Sequence, residues 1–182
     1  MGKVTPEMSI TELGSYICSE LEKNNIHVVL SGGACMEIYS SKFSSYDIDL
    51  IERYSSQHKE ILKTMEFLGF KQEKKGKYFK HENNPYMIEF PTGPVTVGDE
   101  FVKDIATIET EFGYLRLLSA TDCIKDRLCA FVYHYDEECL YQAVDVAQHN
   151  SIDYDNLEKW VFSEAGTSMA KGYEQFIKEF RK

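Results

Sequence analysis

The apolar run Ile26-His27-Val28-Val29-Leu30 ends abruptly at Ser31-Gly32-Gly33, and this break constrains the fold more than any other feature of the chain. A short run rich in β-branched residues reads as a buried strand. A Gly-Gly step then lets the backbone turn in ways that other residues resist, and lets it approach a neighbour closely. Ala34 to Tyr39 has the character of a helix start, and Tyr46 to Ile51 reads as the next strand. The chain therefore contains a strand, a glycine turn, a helix and a second strand, the nucleus of a mixed sheet covered by helices.

The flanking segments extend this nucleus. Ser9-Ile10-Thr11-Glu12 has the form of a capping box, and Ile10, Leu13, Ile17 and Leu21 keep helical spacing to about Lys23, where Asn24-Asn25 ends the helix. A helix is expected from about Gln57 to Leu68, with Ile61, Leu62, Met65 and Leu68 as its stripe and Gly69 as its stop. Strand-like runs follow at Lys77 to His81, Tyr86 to Phe90, Ile105 to Glu109 and Tyr114 to Leu118. They are punctuated by the Asn83-Asn84-Pro85 and Pro91-Thr92-Gly93-Pro94 turns. From Thr121 onward the pattern is helical, at about Asp122 to His134, Glu137 to Asn150, Tyr154 to Ser163 and Ser168 to Phe180. The expected class is α/β (α+β): a mixed β-sheet flanked by helices in residues 1–118, then a C-terminal helical bundle in residues 119–182 packed on it.

Charge narrows the function. The formal net charge is −10, whereas a general duplex-DNA binder needs a basic surface, so general duplex-DNA binding is not expected. An acidic chain still binds nucleotides when its carboxylates recruit metal ions. The five cysteines are odd in number and form no Cys-x-x-Cys pair. This disfavours a disulfide framework or structural zinc and suits buried thiols in a reducing cytoplasm. No apolar run approaches the roughly 20 residues that span a bilayer, so no membrane association is expected.

Asp47 and Asp49 are the chemically distinctive pair. Side chains alternate along a strand, so both carboxylates emerge on one face. Adjacent carboxylates repel unless a positive charge lies between them, and a hard divalent cation, Mg²⁺ or Mn²⁺, suits oxygen ligands. Taken alone, an Asp-x-Asp strand is more often a solvated face. The glycine turn alone is as well explained by a tight connection. Together they place a helix N-terminus, which attracts phosphate, one strand from paired carboxylates.

In this combination the sequence resembles the nucleotidyltransferase superfamily, whose members carry a Gly-Gly or Gly-Ser turn after the first strand, then Asp-x-Asp or Asp-x-Glu on the next. Leu30-Ser31-Gly32-Gly33 and Tyr46-Asp47-Ile48-Asp49-Leu50 match these parts, and Ser45 stands where many relatives have a hydroxyl residue. The resemblance implies a third carboxylate on a later strand, with Glu89 the candidate and Glu109 and Glu111 its rivals. Ser119-Ala120-Thr121-Asp122-Cys123-Ile124-Lys125-Asp126-Arg127-Leu128 resembles the helix after the catalytic sheet in the AbiEii-like, toxin-type branch, where a Lys faces the nucleotide and an Asp follows. Lys125 would be that lysine, and Asp136 or Asp145 the Asp.

The resemblance spans roughly residues 26 to 150 and implies transfer of a nucleoside monophosphate from a nucleoside triphosphate to a hydroxyl of RNA or tRNA, protein or a small molecule. Asp47, Asp49 and Glu89 would hold Mg²⁺ or Mn²⁺. Ser31, Gly32 and Gly33 would hold phosphates, with Ser45 and Arg127 as further nucleotide contacts, and Lys125 would neutralise developing charge. The chain departs from the pattern at Gly33, where relatives often have Ser, and at Phe43, where many have Arg. A catalytically silent nucleotide-binding member of the same fold is the second reading and a metal-dependent nuclease the third. Lys71, Lys74, Lys75, Lys77 and Lys80 form a basic cluster that reads either as a solvated hairpin or as an RNA landing patch. His134 is expected simply to end a helix.

Overall fold

The computed structural model describes residues 4–54, 57–73, 78–164 and 167–182. Helix α1 (Ile10–Glu22) starts at the expected capping box: the Ser9 amide donates to Glu12 Oε2 at 2.8 Å, and the Glu12 amide donates to Ser9 Oγ at 3.3 Å. Strand β1 (Val28–Ser31) runs straight into α2 (Gly32–Tyr39), and β2 (Asp47–Glu52) follows. Then come α3 (His58–Phe67), β3 (Lys71–Gln72), β4 (Tyr78–His81) and β5 (Asn84–Glu89). A hairpin of β6 (Thr96–Val97) and β7 (Glu100–Phe101) precedes β8 (Ile105–Thr110) and β9 (Gly113–Leu118). The remainder is helical: α4 (Ala120–His134), α5 (Glu137–His149), α6 (Tyr154–Ser163) and α7 (Thr167–Phe180).

Seven strands form one mixed sheet in the order β3-β4-β5-β2-β1-β9-β8. β1 is antiparallel to β2 and parallel to β9, and β2 is parallel to β5. All four residues of β1 are buried, as a central strand covered on both faces requires. β2 instead alternates, burying Ile48, Leu50 and Glu52 and leaving Asp47, Asp49 and Ile51 half-buried. The core continues from the sheet into the helices without a break, because α2 packs on β1 and β2 on one side and on α4 and α5 on the other. All five cysteines are free thiols, four of them buried. Among the described residues no helix is long and apolar enough to cross a membrane.

The expected elements all form, with ends displaced by one or two residues. Three were not anticipated: β3, β6 and β7, each two residues long. Two residues carry no periodicity; β6 and β7 flank Gly98-Asp99, a two-residue hairpin turn, and their surroundings hold them. Trp160 Nε1 donates to the Val97 carbonyl at 3.3 Å, and Glu164 accepts from the Asp99 amide at 2.9 Å, tying the β6–β7 hairpin to the helical layer.

Candidate active site

Strand register assembles the site. Ser31 on β1 stands opposite Asp49 on β2, and Asp49 stands opposite Glu89 on β5. Residues level with one another on neighbouring strands share a face, so Ser31, Asp49 and Glu89 line up across three strands, with Asp47 on the same face. Glu109 lies on β8, at the far edge beyond β1 and β9, and Glu111 lies in the turn that follows. Of the three candidate carboxylates, the topology brings only Glu89 beside the pair.

The glycine turn is fitted to Asp49. Gly32 has φ +65°, and a Cβ placed there would sit 2.3 Å from Asp49 Oδ2. Both the dihedral and the close approach require glycine. Ser31, the N-cap residue of α2, makes no capping hydrogen bond with its side chain. A Cβ on Gly33 would lie 3.0 Å from Ser45 Oγ, so Ser45 packs closely against the turn. Ser45 fixes the entry to β2: its Oγ donates to the Asp47 carbonyl at 3.1 Å and its amide donates to Glu37 Oε2 at 2.5 Å.

Carboxylates crowd around Asp49. Burial, then Glu89, Asp47 and Asp126, raise the Asp49 carboxyl to about 6, with Arg127 opposing. Asp47 Oδ1 is buried and has no hydrogen-bond partner. Arg127 approaches from α4. Its Nη2 and Nε donate to Asp126 Oδ2 at 2.5 and 3.1 Å, and its Nη1 reaches Gln142 Oε1 at 3.4 Å and Cys139 Sγ at 3.6 Å. Burial works against the guanidinium charge, but Asp126 more than restores it and the pKa is raised.

These groups fit a hard divalent cation: the donors are oxygens, one buried oxygen is orphaned, and the carboxylates repel until neutralised. Among the described residues no three His, Cys, Asp or Glu side chains already form a metal-holding group. That is compatible with Mg²⁺, which binds through one or two carboxylates, with substrate phosphates and water completing its shell.

Of the residues singled out in the sequence, Ser31, Gly32, Gly33, Ser45, Asp47, Asp49, Glu89 and Arg127 gather here. Lys125 does not join them. Its Nζ is 3.0 Å from Asp122 Oδ1 and 3.3 Å from Glu100 Oε2, in a neighbouring cleft. Asp145 instead latches the loop before β2 to α5, accepting from Ser40 Oγ at 2.6 Å and the Ser41 amide at 2.9 Å. Asp136 caps α5, and His134 lies in the last turn of α4. Lys71 and Lys80 pair across β3 and β4, and Lys80 is 3.3 Å from Glu73; Lys74, Lys75 and Lys77 lie outside the described residues. Asp126 and Glu37 were missed because each reads as a solvated helix position until α2 and α4 are packed.

No protein-family model and no curated protein matches the chain. Solved structures do share its fold. An antigenic nucleotidyltransferase-like protein from Paracoccidioides brasiliensis aligns with a TM-score of 0.68 over 96% of this chain and 90% of that one, at 10% identity. ANT(2″)-Ia in complex with adenylyl-2″-tobramycin aligns at 0.53 over 92% and 98%, at 13% identity. The lincosamide antibiotic adenylyltransferase LnuA, lincomycin-bound, aligns at 0.50 over 79% and 99%, at 15% identity. What is shared at these identities is the fold, which is nucleotidyltransferase-like.

Proposed function

We propose that this chain is a divalent-metal-dependent nucleotidyltransferase that moves a nucleoside monophosphate from a nucleoside triphosphate to an acceptor hydroxyl. One observation carries this reading. Asp49 stands level with Ser31 and Glu89 while the Gly32 backbone lies against its carboxylate, so the phosphate-binding turn and the carboxylates form one site. The antibiotic adenylyltransferases that share the fold support it.

Asp47 and Asp49, with Glu89, would hold Mg²⁺ or Mn²⁺. When bound, the metal would supply electrostatic stabilisation of the leaving pyrophosphate and make the acceptor hydroxyl more acidic. The amides of Gly32 and Gly33 at the start of α2, with the Ser31 hydroxyl, hold the terminal phosphates. Ser45 holds the turn and β2 in register. Arg127, aimed by Asp126, supplies the positive charge that offsets charge developing on the phosphoryl oxygens. Lys125, already paired twice, acts in the neighbouring cleft. In the transfer itself the acceptor oxygen bonds to the α-phosphorus as the bond to the bridging oxygen breaks. Pyrophosphate leaves with the electron pair, and the hydroxyl proton passes to Glu89. Within the superfamily the AbiEii-like branch rests on the Ser119–Leu128 segment alone.

The test is incubation with Mg²⁺ or Mn²⁺, each labelled nucleoside triphosphate, and total RNA or cell extract containing protein and small molecules. Label transfer that is lost in both Asp47→Asn and Asp49→Asn is the expected result. Nucleotide binding without transfer makes the chain a silent member of the fold. Shortened nucleic acid without transfer makes it a nuclease.

A further inference from the structure

The two edges of the main sheet are built differently. At one edge β3 is two residues long and starts with Lys71. A very short strand carrying a lysine is a common way of stopping further pairing. At the other edge β8 has six residues, Ile105-Ala106-Thr107-Ile108-Glu109-Thr110, and four of them are β-branched. It contains no Lys and no Pro, and its register with β9 never shifts. It packs on β9 and α1, and its far side is the open edge of the sheet. We propose that this edge is a dimer interface, in which β8 pairs antiparallel with β8 of a second copy about a two-fold axis at Thr107, joining two sheets into one.

The phase of the ladder fixes which groups the edge presents. In an antiparallel pair, residues whose N–H and C=O groups face the partner strand alternate with residues whose groups face away. The Tyr114 amide donates to Ser19 Oγ at 2.9 Å, away from β8. Tyr114 is level with Glu109, so that pair is the kind without mutual hydrogen bonds, and Thr107 with Arg116 and Ile105 with Leu118 share its phase. Ile105, Thr107 and Glu109 therefore turn their main-chain groups outward, and no described residue outside β9 bonds to them.

Symmetry and charge choose a second copy as the occupant. The outward residues are spaced evenly about Thr107. One antiparallel register matches all three: Ile105 with Glu109, Thr107 with Thr107, and Glu109 with Ile105. Three such pairs form about six main-chain hydrogen bonds. In this register Lys103 of one copy stands level with Glu111 of the other and diagonal to Glu109, and the two-fold repeats the contact. All three side chains are exposed. A uniformly basic segment would instead meet Lys103, and a uniformly acidic one Glu109 and Glu111. Ala106 of one copy falls opposite Ile108 of the other; both already pack on the core, so the apolar layer continues across the axis. β1 and β9 separate this edge from the carboxylates on β2 and β5, so the inference goes beyond the transferase reading and does not rest on it. The interface is small and the formal charge of −10 on each copy opposes association, so the dimer is weak.

The experiment is sedimentation equilibrium of the whole chain from about 1 µM to about 1 mM, at about 0.15 M salt, where charges are screened beyond about 8 Å. The mass is expected to rise from one chain toward two. Over the same range the amides of Ile105, Thr107 and Glu109 should exchange with solvent about tenfold more slowly, while those of Ala106 and Ile108, already bonded to β9, should not change. Thr107→Lys and Thr107→Glu each set like charges opposite one another on the axis, and each variant alone should dimerise about fivefold more weakly. An equal mixture of the two should form a mixed dimer at least as tight as the unaltered one. Thr107 is exposed, so both variants keep the fold. A chain that stays single to the highest concentration, a dimer that protects other amides, or Lys and Glu variants that fail to complement each other overturns the proposal.

Discussion

Replacing Gly32 with Ala separates two demands that the turn makes on one residue. The first is local: at φ +65° an L-residue pays about 1–2 kcal/mol for the left-handed conformation. The second is long-range, because the new Cβ would lie 2.3 Å from Asp49 Oδ2, well inside contact, so the carboxylate or the turn must move. Overpacking of this kind costs about 1–3 kcal/mol, and the whole substitution therefore about 2–5 kcal/mol. Asp49→Ala removes the group that is struck. In that background Gly32→Ala should cost only the dihedral part, giving a coupling of about 1–3 kcal/mol in a double-mutant cycle. Urea unfolding of the four proteins, with unchanged m-values, measures it, and Mn²⁺ binding by Gly32→Ala should fall in parallel because Asp49 is displaced. A coupling below about 0.5 kcal/mol, the range in which independent sites add, would refute the claim that the turn is built against this carboxylate.

Asp49 also makes the metal-free protein sensitive to pH. Its folded-state pKa, about 6, exceeds the ordinary 3.8, so the folded chain binds the proton more tightly than the unfolded one. Stability should therefore fall as pH rises from about 4 to 6, by at most about 3 kcal/mol at 1.36 kcal/mol per unit; Asp49→Asn should flatten this limb in EDTA, and an unchanged limb in thermal melts rejects it. Asp145→Ala should destabilise the chain by about 2–4 kcal/mol, because Ser40, the Ser41 amide and Lys42 lose a buried anion. A loss below about 1 kcal/mol in urea unfolding would show that the latch is unimportant. Asp47→Asn should weaken Mn²⁺ binding at least tenfold in a paramagnetic titration while leaving the melting curve cooperative; unchanged affinity would take Asp47 out of the metal set.

What the sequence disclosed and what it hid divides by range. The carboxylate alternation of Asp47 and Asp49 and the cap at Ser9 are local patterns, and each forms as read, while the break at Ser31 to Gly33 becomes a direct junction of β1 and α2, with the helix starting at Gly32 rather than Ala34. Glu89 required a strand pairing between residues forty apart, which no periodicity specifies. The alternation of β5 gave it a face but not a neighbour. Lys125 and Arg127 were both legible as helix residues, yet their different destinations depend on how α4 rolls against α2 and the β6–β7 hairpin, and the Gly98-Asp99 turn that signals that hairpin says nothing of where it packs. The roll sends Lys125 to Asp122 and Glu100 and turns Asp126 and Arg127 toward Asp49.

Two features at this one place work against folding. Asp49 is buried beside two other carboxylates, and Asp47 Oδ1 is buried without a partner. A chain selected for stability alone would replace such groups, since most stable alternatives lie one substitution away. They coincide where the register of β1, β2 and β5 converges, whereas Asp145, a buried carboxylate elsewhere, is satisfied by a ring of donors. The contrast argues that the strain is kept for a positively charged ligand and the phosphate it brings. On that argument the free energy lost by the empty fold is returned on binding. Mg²⁺ or Mn²⁺ together with a nucleoside triphosphate should then stabilise this protein more than either does alone, and Asp47→Asn should abolish the excess.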